Sequence, residues 1–186
     1  SLIDNNTFSI LEDYSGLIWI GTYSGVSTFD PYSTIGHYKN DPFNSKSINE
    51  KAVSGIYEDD DGLLWIGTSS SGVNILNKDR DVIECLTTAN GLSNNRITDI
   101  TGVGDYIFIG TYNGLNVVNR ITGEIEIYDE ENGLYNNIVK KLFYDDLGYL
   151  YIGSASGLDA LKLNDKSLIN LNYILEDIGI SSKNIS

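Results

Sequence analysis

The stretch LLWIGTSSSGV, residues 63–73, carries a tryptophan between aliphatic residues, then a glycine, three serines and a second glycine. Related stretches stand at 17–26 (LIWIGTYSGV), 106–115 (YIFIGTYNGL) and 149–158 (YLYIGSASGL). The first glycines of the four copies are Gly21, Gly67, Gly110 and Gly153, at intervals of 46, 43 and 43 residues. A fixed period of this length indicates a repeat architecture.

A second motif keeps the same period and marks the start of each unit. Its copies are SLIDNNTFSI (1–10), SINEKAVSGI (47–56), GLSNNRITDI (91–100), GLYNNIVKKL (133–142) and GISSKNIS (179–186). The two motifs together predict one propeller segment over 1–186, with repeat units at approximately 1–46, 47–90, 91–132 and 133–178. Residues 179–186 then open a further unit.

Each unit has the pattern of strands and not of helices. The third unit reads ITDIT, YIFIGT, LNVVN and EIEIYD, four short runs of β-branched and aromatic residues bounded by glycine, aspartate or asparagine. Four short strands in a unit of this length are typical of one blade of a β-propeller. The sequence therefore predicts an all-β fold, a β-propeller with four consecutive four-stranded blades and the start of a fifth.

The alternation of strand direction divides the connections between two faces of the propeller. Short acidic turns such as DDDG (59–62) join the first and second strands, and similar turns join the third and fourth strands. These turns should lie on one face, which we call the turn face. The loops between second and third strands should share the opposite face, the loop face, with the longer loops between blades.

The composition excludes several classes of partner. The chain has 12 basic and 26 acidic residues, so its net charge of −14 repels nucleic acid and anionic membrane surfaces. No apolar run approaches the ~20 residues that span a bilayer, and we expect no direct membrane insertion by this segment. The single cysteine, Cys85, excludes an intrachain disulfide, and we expect it to pack on a strand face.

The sequence predicts no catalytic residue, no metal site and no cofactor. The serines of 69–71 lack the lysine of a phosphate loop and the base of a serine nucleophile, and the aligned loops replace them freely. No pattern supplies partners for His37, the only histidine. DDDGLLW (59–65) matches the D-x-G-x-x-W pattern of the Asp-box, which is a structural turn. A propeller hydrolase or lyase, with carboxylates from different blades, stays open as an alternative.

The loop face gathers aromatic rings, amides and one arginine. This mixture suits a small polar ligand, neutral or weakly acidic, such as a saccharide that stacks on tyrosine and hydrogen-bonds to amides. The alternative is that the asparagines only cap turns. The candidate ligand-binding residues are Tyr23, Asn95, Arg96, Tyr112, Asn113, Tyr135 and Asn137.

The WIGT core, the opening of the type S/G-L-S-x-N-x-I and the aspartate-glycine turn before the tryptophan together resemble two-component regulator propeller repeats. Phe108 and Tyr151 replace the tryptophan in the third and fourth units but keep an aromatic ring there. Repeats of this family build extracytoplasmic sensor regions of bacterial hybrid histidine kinases and related signalling proteins.

The resemblance implies a segment of a larger ring, commonly of about seven blades. It also implies a noncatalytic sensor on the periplasmic or cell-surface side, part of a membrane-anchored receptor with a histidine kinase or similar output outside this chain. An open arc of blades exposes two blade faces, which favours self-association. A protein–protein interaction scaffold without a small ligand is the further alternative.

Overall fold

The computed structural model describes residues 1–30, 35–145, 147–164 and 166–171, and in this part of the chain sixteen strands form four antiparallel sheets of four. We number the sheets as blades 1 to 4 in chain order. The predicted all-β fold of four four-stranded blades is confirmed. The predicted opening of a fifth unit, 179–186, lies outside the described residues.

The strand order in each blade follows the chain. Blade 1 contains β1 Thr7–Glu12, β2 Ile18–Thr22, β3 Gly25–Phe29 and β4 Gly36–Tyr38; blade 2 contains β5 Val53–Glu58, β6 Leu64–Thr68, β7 Val73–Leu76 and β8 Val82–Leu86. Blade 3 contains β9 Ile97–Val103, β10 Tyr106–Thr111, β11 Gly114–Asn119 and β12 Ile125–Tyr128; blade 4 contains β13 Val139–Tyr144, β14 Tyr149–Ser154, β15 Leu158–Lys162 and β16 Ser167–Asn170. Two short 3-10 helices, Thr88–Asn90 and Glu130–Asn132, lie in the loops between blades. The first strands β1, β5, β9 and β13 contact one another in turn and form the inner side of the arc.

Neighbouring blades pack an aromatic side chain onto aliphatic side chains. The aromatic residue comes from the second strand of one blade, and the aliphatic pair comes from the second strand of the next. The three sets are Trp19 with Leu64 and Ile66, Trp65 with Ile107 and Ile109, and Phe108 with Leu150 and Ile152. Their nearly complete burial makes these contacts the apolar core of the molecule.

The glycine of the WIGT stretch gives the next blade room to approach. A Cβ atom built on Gly67 would lie 2.5 Å from Cγ2 of Ile97, which begins the inner strand of blade 3. No larger residue fits at that distance without moving the neighbouring blade. The recurring glycine therefore permits the close packing between blades, a role that the sequence did not indicate.

The acidic turn before the second strand is held by its first aspartate. Asp59 Oδ1 accepts hydrogen bonds from the N–H groups of Asp61 and Leu63, both at 3.0 Å, and Oδ2 accepts a 2.9 Å bond from Trp65 Nε1. Asp13 makes the same bond to Trp19 Nε1 at 2.8 Å. The turn at 59–65 is structural, as predicted, but the carboxylate that holds it belongs to Asp59 and not to Asp60, the aspartate of the D-x-G-x-x-W pattern.

A second polar contact ties each loop between blades to a third strand. In blade 3, Asn116 Oδ1 accepts the N–H of Ser93 at 2.8 Å, and Asn116 Nδ2 donates to Ser93 Oγ at 2.8 Å. Equivalent contacts to a backbone N–H are made by Ser27 to Ile3, Asn74 to Asn49 and Asp159 to Tyr135. We call this contact the loop latch. Its four acceptor side chains are buried, so in each blade the loop is held against the same buried position of the third strand.

The predicted division into a turn face and a loop face is confirmed. Loops between second and third strands bond to the loops between blades, as in Ser69 N to Ala52 O at 3.0 Å and Gly72 N to Asn95 O at 2.9 Å. On the opposite side, turn bonds to turn, as in Arg120 N to Asp105 O at 2.9 Å.

Candidate functional site

Two cations and one tyrosine ring come together on the loop face of blade 3. The guanidinium carbon of Arg96 lies 3.8 Å from the centroid of the Tyr112 ring, and Lys140 Nζ lies 5.1 Å from it. Both distances are within the range of cation–π contacts. In a chain of net charge −14, this group of three residues is a local concentration of positive charge. We call it the Tyr112 cluster.

Backbone hydrogen bonds hold the Tyr112 cluster in place. Tyr112 N donates to Arg96 O at 3.2 Å, which joins the second-to-third-strand loop of blade 3 to the loop before that blade. Gly114 N donates to Asn137 O at 2.7 Å, which joins the same loop to the one after the blade. The structure therefore brings Arg96, Tyr112, Asn113 and Asn137 to one place on the loop face.

The predicted asparagines mostly organise loops. Asn95 Oδ1 accepts the N–H of Thr88 at 2.7 Å, and Asn137 Oδ1 accepts the N–H of Glu130 at 2.8 Å. These bonds are turn-capping contacts, so they support the structural alternative for the two carbonyl oxygens. Asn113 is exposed, and its backbone N–H donates to Thr111 Oγ1 at 3.0 Å.

The remaining predicted residues, Tyr23 and Tyr135, are exposed aromatic rings of the loop face. Tyr23 lies in blade 1, where its N–H donates to Asn6 O at 3.1 Å, and it is not joined to the Tyr112 cluster by the hydrogen bonds of its loop. Tyr135 belongs to the loop between blades 3 and 4, and its N–H is held by Asp159. Of these two rings, Tyr135 is the one that shares a loop with Asn137.

Sequence reasoning missed two residues of this face. Lys140 follows Val139 in the inner strand of blade 4. The chain is acidic, so a lysine in a strand is unusual, and this could have identified Lys140 from the sequence. Phe43 lies in the long loop between blades 1 and 2 and is 99% exposed. An apolar ring in full contact with water adds a stacking surface that the aligned loops do not predict.

The acceptor of the loop latch in blade 4 is chemically distinct. Asp159 Oδ2 accepts the N–H of Tyr135 at 3.0 Å, but Asp159 Oδ1 is buried without a hydrogen-bond partner. Burial raises the pKa of Asp159 above its ordinary value of 3.8, and the bond from Tyr135 offsets part of that increase. This carboxyl group supports the loop that carries Tyr135 and Asn137.

His37 and Ser27 are paired, but they do not form a nucleophile and its base. His37 Nδ1 lies 3.3 Å from Ser27 Oγ. Ser27 is fully buried, and its Oγ accepts the N–H of Ile3 at 2.9 Å as the loop latch of blade 1. A substrate cannot reach this hydroxyl without displacing the loop.

A cavity of about 630 Å³ lies along the inner strands, and its lining includes Ser9, Ile56, Asp99 and Lys141. Lys141 Nζ is 3.4 Å from Asp99 Oδ1, and Leu142 N donates to Asp99 Oδ2 at 3.0 Å. The two opposite charges compensate each other. The cavity therefore presents no net charge to a ligand, in contrast to the Tyr112 cluster.

In the described part of the chain, no group of three or more histidine, cysteine, aspartate or glutamate side chains is arranged to hold a metal ion. No helix in that part is long and apolar enough to cross a membrane. Cys85 is half-buried on β8, with Sγ 3.6 Å from Asn74 Oδ1, and burial raises the pKa of its thiol.

A comparison with protein families matches the two-component regulator propeller model to residues 1–24 and 47–70. The chain contains two-component regulator propeller repeats. Both matches begin at the opening motif of a unit and end in the loop after the second strand, so they include the turn aspartates Asp13 and Asp59 and the anchors Trp19 and Trp65. The resemblance found in the sequence is confirmed.

Solved structures with the same fold include extracellular domains of bacterial signalling proteins. One belongs to a B. thetaiotaomicron protein described as a hybrid two-component system, with 26% identity, a TM-score of 0.78, and 90% of this chain and 24% of that chain covered. Another belongs to a B. thetaiotaomicron protein described as a one-component system, with 23% identity, a TM-score of 0.77, and coverage of 88% and 24%. This chain thus spans about a quarter of the length of either structure.

An enzyme shares the fold as well. Virginiamycin B lyase from Staphylococcus aureus is 17% identical, with a TM-score of 0.66 and coverage of 87% of this chain and 54% of the lyase. At that identity the likeness shows the fold alone. A comparison with curated protein sequences found no match.

Proposed function

We propose that these two-component regulator propeller repeats are a noncatalytic ligand-sensing region of a bacterial signal-transduction receptor. The ligand is a small polar molecule of the saccharide class, bound on the loop face at the Tyr112 cluster. The receptor presents this region outside the cytoplasm and passes the signal to a histidine kinase or a similar output module. The observation that supports this proposal most directly is the 3.8 Å contact of the Arg96 guanidinium with the Tyr112 ring, beside Lys140.

The chemistry of the cluster supports a ligand with hydroxyl groups and at most a weakly acidic group. Arg96 and Lys140 supply only hydrogen-bond donors, and an anion placed between them would be held by charge-assisted bonds. The Arg96 guanidinium already stacks on Tyr112, so the ring available for stacking on a sugar is Tyr135, an exposed ring in the loop that carries Asn137. A strongly polyanionic ligand is disfavoured because the rest of the surface is acidic.

The likeness to extracellular domains supports the sensor role, and the buried state of Ser27 argues against hydrolysis by the one Ser–His pair. Sensing requires that the ligand bind one receptor state more tightly than another. The Tyr112 cluster meets this requirement in principle, because it joins two loops of blade 3 to the inner strand of blade 4. A ligand that draws Arg96 and Lys140 together changes the position of blade 4 relative to those loops.

A thermal-shift screen with neutral and uronate-containing oligosaccharides tests the proposal, with product analysis by mass spectrometry on the same samples. A sensor gives a rise in melting temperature with an unchanged saccharide. Cleavage of a saccharide would instead support the hydrolase or lyase alternative, and a complete lack of stabilisation by any saccharide would contradict this ligand class.

A further inference from the structure

The turns between third and fourth strands place one residue each of blades 2, 3 and 4 in the left-handed backbone region. These residues are Arg80, Gly123 and Lys166, with φ angles of 66°, 76° and 55°. Arg80 N and Gly123 N each donate to the carbonyl oxygen of the asparagine that opens the turn, at 2.9 and 2.8 Å. The three residues therefore stand at equivalent positions, and the one in blade 3 has no side chain.

The arginine and the lysine each carry a cation to the preceding blade. Arg80 Nη2 donates to Asp13 Oδ2 at 3.0 Å, and its guanidinium carbon lies 5.0 Å from the centroid of the Trp19 ring. Lys166 Nζ lies 2.5 Å from Glu126 Oε2 of blade 3. The interface between blades 1 and 2 thus holds a guanidinium against the turn aspartate and the anchoring tryptophan.

Asp59 and Trp65 repeat the aspartate–tryptophan pair in the interface between blades 2 and 3. Trp65 Nε1 donates to Asp59 Oδ2 at 2.9 Å, as Trp19 Nε1 does to Asp13 Oδ2 at 2.8 Å. Asp13 Oδ2 accepts a second bond from Arg80, whereas in the described part of the chain Trp65 Nε1 is the one donor to Asp59 Oδ2. The second interface therefore has the same carboxylate and ring without the arginine.

A cavity of about 420 Å³ lies beside this second pair. Its lining includes Asp59, Trp65 and Gly123, and a Cβ atom built on Gly123 would meet no described atom within 4 Å. Leucine, isoleucine and valine side chains form much of the remaining wall. The lining residues all belong to blades 2 and 3, which have described blades on both sides. An apolar wall with a few polar groups in a volume of this size is typical of a small-molecule site.

The charges of the lining favour a cation. The cavity is lined by the carboxylates of Asp59, Asp61 and Glu84 and by one guanidinium, that of Arg120. Arg120 is already bound, because its Nη1 donates to Asp61 and its Nε donates to Gly104 O at 2.9 Å. The negative charges of Asp59 and Glu84 are therefore available to a ligand.

We propose that this cavity binds a small organic cation, with an amidinium, guanidinium or ammonium head at Asp59 and an apolar body along Trp65. The head takes the place that the Arg80 guanidinium takes in the neighbouring interface, where it bonds to a carboxylate and lies over an indole ring. The ligand then contacts blades 2 and 3 together. The site prefers a cation, whereas the Tyr112 cluster presents cations, so it is independent of the function proposed above.

Isothermal titration calorimetry with benzamidine and benzamide tests the charge preference. The two compounds share a ring and nearly the same shape, but benzamidine carries an amidinium cation at neutral pH and benzamide is neutral. We expect the wild type to bind benzamidine with one-to-one stoichiometry. Benzamide should bind at least about tenfold more weakly, because it lacks the charge-assisted bond to the carboxylate.

Gly123→Arg tests the position of the site, because it supplies the guanidinium from the protein itself on a backbone that Arg80 already adopts. This variant should bind benzamidine at least about tenfold more weakly than the wild type. Gly148→Arg is the matched control. Gly148 also has a positive φ, a Cβ there would meet no described atom within 4 Å, and it is not part of the cavity lining. Gly148→Arg adds the same charge and should bind benzamidine like the wild type.

Three results would overturn the proposal. One is a titration in which benzamidine shows no saturable binding to the wild type. Another is equal affinity for benzamidine and benzamide, since the cavity would then not select a cation. The last is equal binding of benzamidine by Gly123→Arg and Gly148→Arg when both variants melt cooperatively, since the ligand would then lie elsewhere. The first two results need no variant, so they decide the matter even where Gly123→Arg does not fold.

Discussion

Trp65 Nε1 donates a 2.9 Å hydrogen bond to Asp59 Oδ2, and both side chains are buried. The tryptophan packs on blade 3 while the aspartate closes the turn of blade 2, so one bond connects the turn to the interface between blades. Blade 4 repeats the turn, because Asp145 Oδ1 accepts the N–H of Tyr149 at 2.8 Å, and Tyr151 stands at the position of the tryptophan. In blade 3 the anchor is Phe108, which has no donor, and Gly102 stands where the aspartate would be.

Asp59→Ala should lower the free energy of unfolding by about 2–3 kcal/mol, since it leaves the indole N–H of Trp65 and two turn N–H groups without their acceptor. Urea denaturation measures this change. The neighbouring Asp60 is exposed, and Asp60→Ala should stay within about 0.5 kcal/mol of the wild type. Equal effects of the two substitutions would show that the turn aspartate has no special role.

Asp159→Asn should stabilise the protein near neutral pH by about 1–2 kcal/mol. Asparagine stands at the same position in blades 2 and 3, where Asn116 Nδ2 also finds acceptors, and the substitution removes the unpaired Asp159 Oδ1. Because burial raises the pKa of Asp159, its favourable contribution is present below the unfolded-state pKa and is lost as pH rises through the folded-state pKa.

The difference in unfolding free energy between Asp159→Asn and the wild type should therefore be small in acid and grow as the pH increases. Chemical denaturation at several pH values measures it. Glu84→Gln removes an exposed carboxylate of β8 and is the control that should show no such trend. A loss of stability in Asp159→Asn at neutral pH would contradict the assignment of an unpaired oxygen.

Arg80→Ala should lower the free energy of unfolding by about 2–4 kcal/mol. Arg80 reaches from blade 2 to Asp13 Oδ2 at 3.0 Å and to Glu58 Oε1 at 3.6 Å, and its guanidinium lies 5.0 Å from the Trp19 ring. Removing it leaves two buried carboxylates without a cation. Burial alone would raise the pKa of Asp13, but hydrogen bonds from Ser15, Trp19 and Leu17 outweigh it and lower that pKa below 3.8, so the charge persists in the variant.

The exposed ion pair of Lys46 and Asp81 is the control for the Arg80→Ala prediction. Its atoms are as close, at 2.7 Å, but both side chains are exposed. Lys46→Ala should change the unfolding free energy by less than about 1 kcal/mol, because water screens an exposed pair. If both substitutions cost the same in urea denaturation, burial is not what gives the Arg80 contact its strength.

The fold could be predicted from the repeat because each copy supports the others. The glycine of WIGT and the aromatic residue before it recur in every unit, and they are the residues that set the distance between blades. The runs of β-branched and aromatic residues in each unit were enough to predict the strands, and the alternation of strand direction then predicted the two faces. The loop latch also recurs, but its acceptor is serine, asparagine or aspartate in different blades. Because the residue type is not constant, the sequence did not reveal the four positions as equivalent.

The candidate site was less predictable because it depends on distances between loops of different units. Arg96 and Tyr112 were both selected from the sequence, but nothing in their spacing indicated that the guanidinium would stack on the ring. Lys140 was missed because it lies in a strand of blade 4. Nothing in the sequence of that strand indicates that the Lys140 side chain reaches Tyr112 in the loop of blade 3. The asparagine carbonyls of Asn95 and Asn137 proved to hold loops, a distinction that only hydrogen-bond partners reveal.

The most direct test of the ligand-sensing account is isothermal titration calorimetry with the stabilising saccharide from the screen, on the wild type, Arg96→Gln and Lys78→Gln. Each substitution removes one positive charge, but Lys78 lies in an exposed turn of blade 2 on the turn face. The account predicts that Arg96→Gln weakens binding at least about tenfold while Lys78→Gln binds like the wild type. Equal affinity of Arg96→Gln and the wild type would contradict it.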